Sequence, residues 1–390
     1  MGQIDIQGTC DDRFGAVRAA FERNFHELGD VGAAVAVCLD GEAVVDLWGG
    51  LADPATARPW DSDTPALVFS TTKGLTAICA LRLWERGELD LGAPVADVWP
   101  EFKAAGKGAV TTWQLLSHQA GLPAFDEPIT VDQCHDIDFV AARLAKQTPA
   151  WEPGSAHGYH ALTYGWLVGE VVRRVSGRTI GRFLADEIAA PLGLDTWIGL
   201  PPALEPRVAV LQPMNFENLG AIQIDEHTQK LVEAFFDPTS LSHRVFFNPP
   251  VDLNGDAFNS PALHQAEWPA AGGITTARSL AHLYGELACD RVLAAATLDA
   301  ATTPIVDGPD RVLVVRSSFG LGFALPSDVV RYGPTGSGFG HDGAGGSVGF
   351  ADRDAGIGFA YVMNQMGMSL GVDARVAGLV QAMYASIGER

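Results

Sequence analysis

Strand patterns at both ends of the chain, with a long helical stretch between them, constrain the fold more than any other feature of the sequence. Residues 33–48 contain two β-prone runs around Asp40-Gly41, a dipeptide that favours a tight hairpin turn. Residues 347–363 contain two further β-prone runs around a turn at 352–356. We expect these two hairpins to pair with each other in one antiparallel sheet.

Helical periodicity places helices beside and between the hairpins. Apolar residues recur at helical spacing in 11–29 and in 372–387, which adjoin the two predicted hairpins. The same spacing occurs in 70–86 and in 163–176, and each of these segments stops before a glycine that can cap a helix. The sequence therefore predicts an α+β fold in which an antiparallel sheet is flanked by helices.

The order of these elements predicts two domains with an active site between them. Residues 1–65 and 261–390 would form the sheet domain, and residues 66–260 would form a mostly helical insertion. A chain of 390 residues with 47% hydrophobic residues has ample material for a core of this size.

Composition and charge argue against several kinds of partner and location. The formal net charge of −21 argues against nucleic acid and anionic membranes, because both require a basic face. No apolar run approaches the roughly 20 residues that cross a bilayer. The N-terminus shows no export signal, and the five cysteines are scattered without paired spacing. These features predict a cytoplasmic protein with free thiols.

The strongest candidate for a catalytic nucleophile is Ser70, three residues before Lys73. Residues at this spacing share a helix face, so the hydroxyl and the amine can come within hydrogen-bonding reach. Burial and the helix dipole would lower the pKa of the lysine and leave an amine that can accept the serine proton. The alternative is an ordinary helix start with a solvated lysine.

Two other patterns fit catalysis less well. Residues 345–349 match G-x-S-x-G, but a strand follows them and no histidine occurs after Ser347. His157 and His160 lie in a loop-like segment without the helical carboxylate partner that is typical of zinc sites. We interpret Ser347 as a structural residue beside a strand, and both histidines as unliganded.

Several ordered motifs give the chain a resemblance to a known group of enzymes. Residues 70–73 are similar to the first motif of the serine hydrolases that share the class C β-lactamase and penicillin-binding-protein fold. Further similar segments extend over nearly the whole chain, at 110–123, 151–165, 270–277 and 341–344. Within this group the chain most resembles the family VIII carboxylesterases, which implies a β-lactamase/transpeptidase-like fold.

The resemblance also implies roles for individual residues. Tyr159 falls at the position of the catalytic tyrosine, and a neighbouring lysine ammonium would lower the pKa of its phenol. The N–H groups of Ser70 and Ala344 correspond to the oxyanion donors, and Gly343 permits close approach of the backbone. His341 would contact the substrate or serve only as a structural histidine.

Departures from the family pattern favour an ester over a β-lactam. Ala161 stands where an asparagine is expected, and His341 stands where a lysine is expected. In β-lactamases those polar groups help to hold the amide and the carboxylate of the antibiotic. Bulky residues near the motifs are candidate pocket walls that would favour small or medium acyl groups: Phe125, Trp151, Phe216, Trp268 and Phe323.

The sequence therefore predicts a serine carboxylesterase that hydrolyses short- to medium-chain esters through an acyl-enzyme on Ser70. Lys73 and Tyr159 would move the protons, and neither a metal nor a cofactor is implied. Its partner would be a small-molecule ester. A β-lactamase, a D-amino-acid amidase or peptidase and an acyltransferase stay open as enzymatic alternatives. The non-enzymatic alternative is a penicillin-binding sensor that is acylated without turnover.

Overall fold

A computed structural model describes residues 4–214, 226–251, 256–327, 330–367 and 373–388. Its strands are β1 (Gln7–Cys10), β2 (Gly32–Leu39), β3 (Glu42–Asp53), β4 (Arg58–Pro59), β5 (Ala66–Leu67), β6 (Thr196–Ile198), β7 (Gly273–Thr275), β8 (Val306–Pro309), β9 (Arg316–Phe319), β10 (Gly338–Asp342), β11 (Val348–Asp352) and β12 (Ile357–Met363). Its helices are α1 (Gly15–Glu27), α2 (Thr72–Glu85), α3 (Thr112–Leu116), α4 (Val131–Cys134), α5 (Ile137–Lys146), α6 (Thr163–Ser176), α7 (Ile180–Leu184), α8 (Ala190–Leu192), α9 (Glu226–Phe236), α10 (Leu241–Phe247), α11 (Pro261–Gln265), α12 (Ala277–Ala288), α13 (Ala295–Thr302) and α14 (Ala374–Ile387).

The main sheet joins the two ends of the chain, as the sequence predicts. Its strand order is β1-β3-β2-β12-β11-β10, with β4 attached to β3, and the neighbouring strands are antiparallel. The two hairpins meet where β2 pairs with β12. Asp40 and Gly41 adopt positive φ angles of 54° and 86°, which is the geometry that a tight hairpin turn requires.

Helices cover both faces of this sheet. Helices α1 and α14 pack together on one face, and α12 packs on the other against β2, β11 and β12. Every residue of β2 is buried, which explains why this strand is a continuous apolar run rather than an alternating pattern.

The middle of the chain forms the helical region around α2 and α6. Helix α2 is buried on nearly all sides, as expected for a helix with apolar residues around its whole circumference. Helix α6 ends at Gly177, which has a φ of 70° and caps the helix in the left-handed conformation. One continuous core connects these helices with the α12 face of the sheet. The domain boundaries at 65/66 and 260/261 therefore stay a prediction.

Two further sequence predictions concern the cysteines and the membrane. All five cysteine thiols are unpaired, and Cys79 is a fully buried residue of α2. Within the described ranges, no helix has both the length and the apolar character that crossing a bilayer requires.

Candidate active site

A cavity of about 130 Å³ lies beside the N-terminal end of α2 and the edge strand β10. Its polar wall consists of Ser70, Tyr159, Ser317, Ser318, Ser327, His341, Asp342, Gly343 and Ala344. Its apolar wall consists of Leu231, Phe246, Leu313, Val315, Phe319, Ala324 and Val330. A wider surface depression along β1 and β3 lies away from Ser70 and Lys73, so the chemistry predicted from the sequence belongs to the smaller cavity.

Ser70 lies in a strained turn that leads directly into α2. The preceding residue, Phe69, has a φ of 44°, which is a left-handed conformation that large side chains rarely adopt. The Phe69 ring packs edge-to-face against Phe258, with 4.9 Å between the ring centroids, and this contact helps to hold the turn. The backbone N–H of Lys73 donates to the Ser70 carbonyl at 2.9 Å. Such strain accumulates at functional sites, and here it presents a half-buried serine to the cavity.

Lys73 is completely buried, and its amine has three partners. Its Nζ lies 3.0 Å from Ser70 Oγ, and 2.7 and 3.0 Å from the carbonyl oxygens of Ala161 and Ala270. Carbonyl oxygens only accept hydrogen bonds, so two N–H bonds of the amine are committed to them. Burial, opposed weakly by the charge of Asp342, lowers the pKa of Lys73 well below its ordinary value. In its neutral form, an amine held in this way can direct its lone pair at the Ser70 hydroxyl.

Tyr159 completes the cluster, but its ionisation differs from the sequence prediction. Lys73 Nζ lies 4.7 Å from the centroid of the Tyr159 ring. Burial raises the pKa of Tyr159 well above 10, and hydrogen bonding with the Ser70 side chain offsets this only in part. The predicted lowering of this pKa is wrong because burial of the phenol disfavours the phenolate. Tyr159 is therefore a neutral phenol that can donate its proton.

The position of Tyr159 depends on Asp310, a residue that the sequence analysis did not identify. The Asp310 side chain is fully buried, and its Oδ1 accepts the backbone N–H groups of Tyr159, Val312 and Leu313 at 3.0, 2.8 and 2.9 Å. Its Oδ2 accepts the hydroxyl of Ser317 at 2.9 Å. The Asp310 carboxylate thus links the loop that contains Tyr159 to the connection between β8 and β9. No sequence motif surrounds Asp310, so only the tertiary structure shows this link.

We expect Asp310→Ala to lower both stability and activity. Removing a buried carboxylate that accepts four hydrogen bonds leaves their donors unpaired and costs about 3 kcal/mol in the free energy of unfolding. Displacement of Tyr159 should lower kcat by about 100-fold. Asp310→Asn keeps one oxygen acceptor and should recover much of both losses. Thermal unfolding and ester hydrolysis measure the two effects.

Asp307→Ala is the matched control for this prediction. Asp307 belongs to the neighbouring strand β8, and its ion pair with Arg316 is about half exposed, so its loss should change stability very little. An Asp310→Ala protein with wild-type kcat would contradict the positioning role.

Gly343 and Ala344 directly follow β10 and border the cavity. A Cβ atom on Gly343 would lie 2.2 Å from the Val68 carbonyl oxygen and 2.3 Å from Ser347 Oγ, so only glycine fits here. Ser347 is buried, and its hydroxyl donates to the Val68 carbonyl at 2.8 Å. Ser347 therefore holds the two backbone segments together beside β11, in agreement with its interpretation as a structural residue. Ala344 is exposed and borders the cavity together with Ser70.

His341 also borders the cavity and is 4% exposed. Its Nδ1 lies 2.7 Å from the backbone carbonyl of Asp342, so this nitrogen carries the hydrogen. Its Nε2 is buried and has no hydrogen-bond partner in the part of the chain that the structure describes. Burial, with a smaller contribution from Lys73, lowers the pKa of His341 to about 3, so the ring is neutral.

The aromatic side chains proposed as pocket walls lie elsewhere. Phe125 packs on Trp166, and the Trp151 ring packs edge-to-face on His160. Neither Phe125 nor Trp151 borders the cavity, which corrects their prediction as substrate contacts. Trp268 and Phe323 are likewise packed in the core, and Phe216 lies outside the described residues. The observed walls are mainly aliphatic and come from α9, α10 and the segment 313–330, which carry no recognisable motif.

His157 and His160 both have hydrogen-bond partners within the protein. His160 Nδ1 lies 2.7 Å from the Gly158 carbonyl, and its Nε2 accepts the N–H of Leu122 at 3.0 Å. His157 Nε2 lies 3.0 Å from Ser317 Oγ. Across the described ranges, no group of three or more histidine, cysteine or acidic residues is arranged to hold a metal ion.

Comparisons with known proteins show which family the chain is similar to. The sequence profile of the Beta-lactamase family matches residues 21–382. Over 376 residues the chain is 36% identical to Esterase/beta-lactamase LipL of Mycobacterium tuberculosis, a match that covers 93% of this chain and 83% of that protein. The crystal structure of a family VIII carboxylesterase is 38% identical, with a TM-score of 0.88 and coverage of 98% of this chain and 100% of the other. A penicillin-binding protein homologue from Caulobacter crescentus is 43% identical, with a TM-score of 0.86 and the same coverage.

Proposed function

The chain belongs to the beta-lactamase family and is a serine hydrolase with the β-lactamase/transpeptidase-like fold, and on this basis we propose that it is a carboxylesterase. Its substrates are short- to medium-chain esters, which it hydrolyses through an acyl-enzyme on Ser70. The esterase names of LipL and of the family VIII structure support this proposal. The apolar character of the cavity supports it as well, because an aliphatic wall suits an acyl chain.

One observation carries the proposal: the buried amine of Lys73 lies 3.0 Å from Ser70 Oγ while two carbonyls occupy its N–H bonds. With the amine neutral, its lone pair accepts the serine proton. Ser70 Oγ then attacks the ester carbonyl, and Lys73 becomes an ammonium. The oxyanion that forms is stabilised by the N–H groups of Ser70 and Ala344.

Collapse of the tetrahedral intermediate breaks the bond between the acyl carbon and the alcohol oxygen. The Tyr159 phenol protonates the departing alkoxide, and the Lys73 ammonium returns a proton to the phenolate. An acyl-enzyme and a free alcohol remain, with Lys73 and Tyr159 back in their neutral forms. Water then attacks the acyl carbonyl, and the same groups move its proton to Ser70 Oγ as the acid leaves.

Steady-state assays with two classes of substrate test this proposal. The wild type should turn over a chromogenic short-chain ester continuously, and should hydrolyse a chromogenic cephalosporin at least about 100-fold more slowly in kcat/KM, which corresponds to about 3 kcal/mol. The physical reason is that no described lysine or arginine side chain borders the cavity to hold the carboxylate of the antibiotic.

Two results would contradict the proposal. A burst of one equivalent of product without turnover indicates an acylated sensor, and a preference for the cephalosporin indicates a β-lactamase. The fluorophosphonate-inhibited protein serves as the control, because blocking of the nucleophile must abolish any genuine turnover.

A further inference from the structure

His341 has one ring nitrogen, Nε2, that is an acceptor. The Asp342 carbonyl receives the hydrogen of Nδ1 at 2.7 Å, so Nε2 presents a lone pair. Nε2 is buried and has no partner among the described residues, and His341 borders the cavity next to Ser70 and Tyr159. A buried polar atom without a partner is costly, so a site of this kind is satisfied by a donor that arrives with water or substrate.

The charged groups around the cavity also disfavour a substrate that carries a carboxylate. No lysine or arginine is among the described side chains that border the cavity, so a carboxylate on the substrate finds no cationic partner there. Lys73 does not supply such a partner, because its Nζ already contacts Ser70 Oγ and the carbonyl oxygens of Ala161 and Ala270. The chain as a whole has a net charge of −21, which further repels anions.

We propose that Nε2 of His341 forms an acceptor subsite that selects esters with a hydroxyl or N–H donor and rejects esters with a carboxylate. The proposal rests on the proposed esterase function and specifies its substrate class. A donor on the substrate pairs with Nε2. A methyl group in its place leaves the buried nitrogen unpaired, and a carboxylate places a second acceptor against the lone pair.

Two sets of matched esters test the two sides of the scissile bond. For the alcohol side, the set is hydroxyethyl, propyl and carboxymethyl butanoate. For the acyl side, the set is ethyl lactate, ethyl isobutyrate and monoethyl methylmalonate. Within each set a donor, a methyl group and a carboxylate occupy the same place. Hydrolysis is followed by pH-stat titration, and each kcat/KM is divided by the rate at which hydroxide cleaves that ester, which removes intrinsic reactivity.

In at least one set, the normalised kcat/KM of the hydroxyl ester should exceed that of the methyl ester by about tenfold. The normalised kcat/KM of the methyl ester should exceed that of the carboxylate ester by about 100-fold. The ratio of methyl ester to carboxylate ester should persist at high salt. Salt screens the long-range repulsion between the protein and an anionic ester, but it does not screen a contact between two acceptors in the cavity. The set that shows both ratios identifies the side of the ester that reaches His341.

Variants of His341 assign the effect to this residue. His341→Leu should remove the preference for the hydroxyl ester, and His341→Lys should raise the relative rate of the carboxylate ester by at least about tenfold. Each variant is judged by ratios between esters, so a general loss of activity does not affect the result. Should neither variant fold, the ratios of the wild type decide alone.

The outcomes separate this inference from the proposed function. Equal normalised rates within both sets, with steady ester turnover, would overturn the subsite and leave the esterase standing. Ratios that His341→Leu leaves unchanged would also overturn it. Absence of turnover with all six esters would refute the esterase itself, and the subsite with it.

Discussion

Replacing Ser70 by alanine should abolish ester turnover, with kcat falling on the order of 10⁴-fold or more, because the acyl-enzyme cannot form without the attacking oxygen. The fold should be unaffected, since Ser70 is only half-buried and its backbone contact with Lys73 does not depend on the side chain. Mass spectrometry after fluorophosphonate treatment should place one adduct on the peptide that contains Ser70, and the alanine variant should stay unlabelled.

Ser347→Ala is the matched control for this experiment. Ser347 belongs to the G-x-S-x-G pattern at 345–349, but its hydroxyl is buried against the Val68 carbonyl at 2.8 Å. This variant loses the hydrogen bonds of the hydroxyl with the Val68 carbonyl and with Thr71 Oγ1, each worth about 1 kcal/mol, and should keep measurable turnover and labelling. Turnover that survives in Ser70→Ala and disappears in Ser347→Ala would move the nucleophile to the second serine.

Replacing Lys73 by methionine should lower kcat/KM for esters by about 1,000-fold, the usual contribution of a positioned general base. Methionine matches the length of the buried side chain, so the change removes the amine without opening a large cavity. Labelling of Ser70 by the fluorophosphonate should slow by a similar factor, because that reaction also needs the serine proton to be removed. Near wild-type activity in Lys73→Met would refute the role of the amine as base.

The pH dependence gives a second measurement on the same variant. Lys73 is active as a neutral amine, so kcat/KM of the wild type should rise with pH through the lowered pKa of Lys73 and then level off. Lys73→Met should lose this rise. The position of the rise should lie below 10.5, the ordinary pKa of the side chain, because burial disfavours the ammonium.

The same residue links stability to pH with a definite sign. In the unfolded chain Lys73 stays protonated up to about 10.5, whereas the folded chain releases this proton at lower pH. The unfolded state therefore binds more protons between these two pKa values, and the free energy of unfolding rises with pH in that window. Lys73→Met should remove this part of the slope in a series of denaturant titrations.

Local chemistry explains which parts of the fold were predictable. The turn at Asp40-Gly41 and the helix end at Gly177 depend on positive φ angles that a few residue types adopt easily, so the sequence shows them directly. The spacing of Ser70 and Lys73 indicates one shared face, and the structure places their side-chain atoms 3.0 Å apart.

Features that depend on tertiary packing were not predictable. Phe125 and Trp151 are large and adjacent to motifs, but packing against Trp166 and His160 occupies their rings. Asp310 gives no local signal, since its partners include Tyr159, which is 151 positions away in the sequence. The pKa of Tyr159 depends on burial of its side chain, which the neighbouring residues in the sequence do not indicate.

The pairing of β2 with β12 has a consequence for how the protein is made. The N–H of Gly32, the first residue of β2, donates to the side chain of Asn364, 332 positions away and directly after β12. The rest of β2 pairs with β12 along its whole length. During synthesis on the ribosome, the fully apolar β2 therefore emerges long before the strand that pairs with it. A nascent chain with such an unpaired edge is a template for aggregation, so folding should be slow and sensitive to chaperone supply.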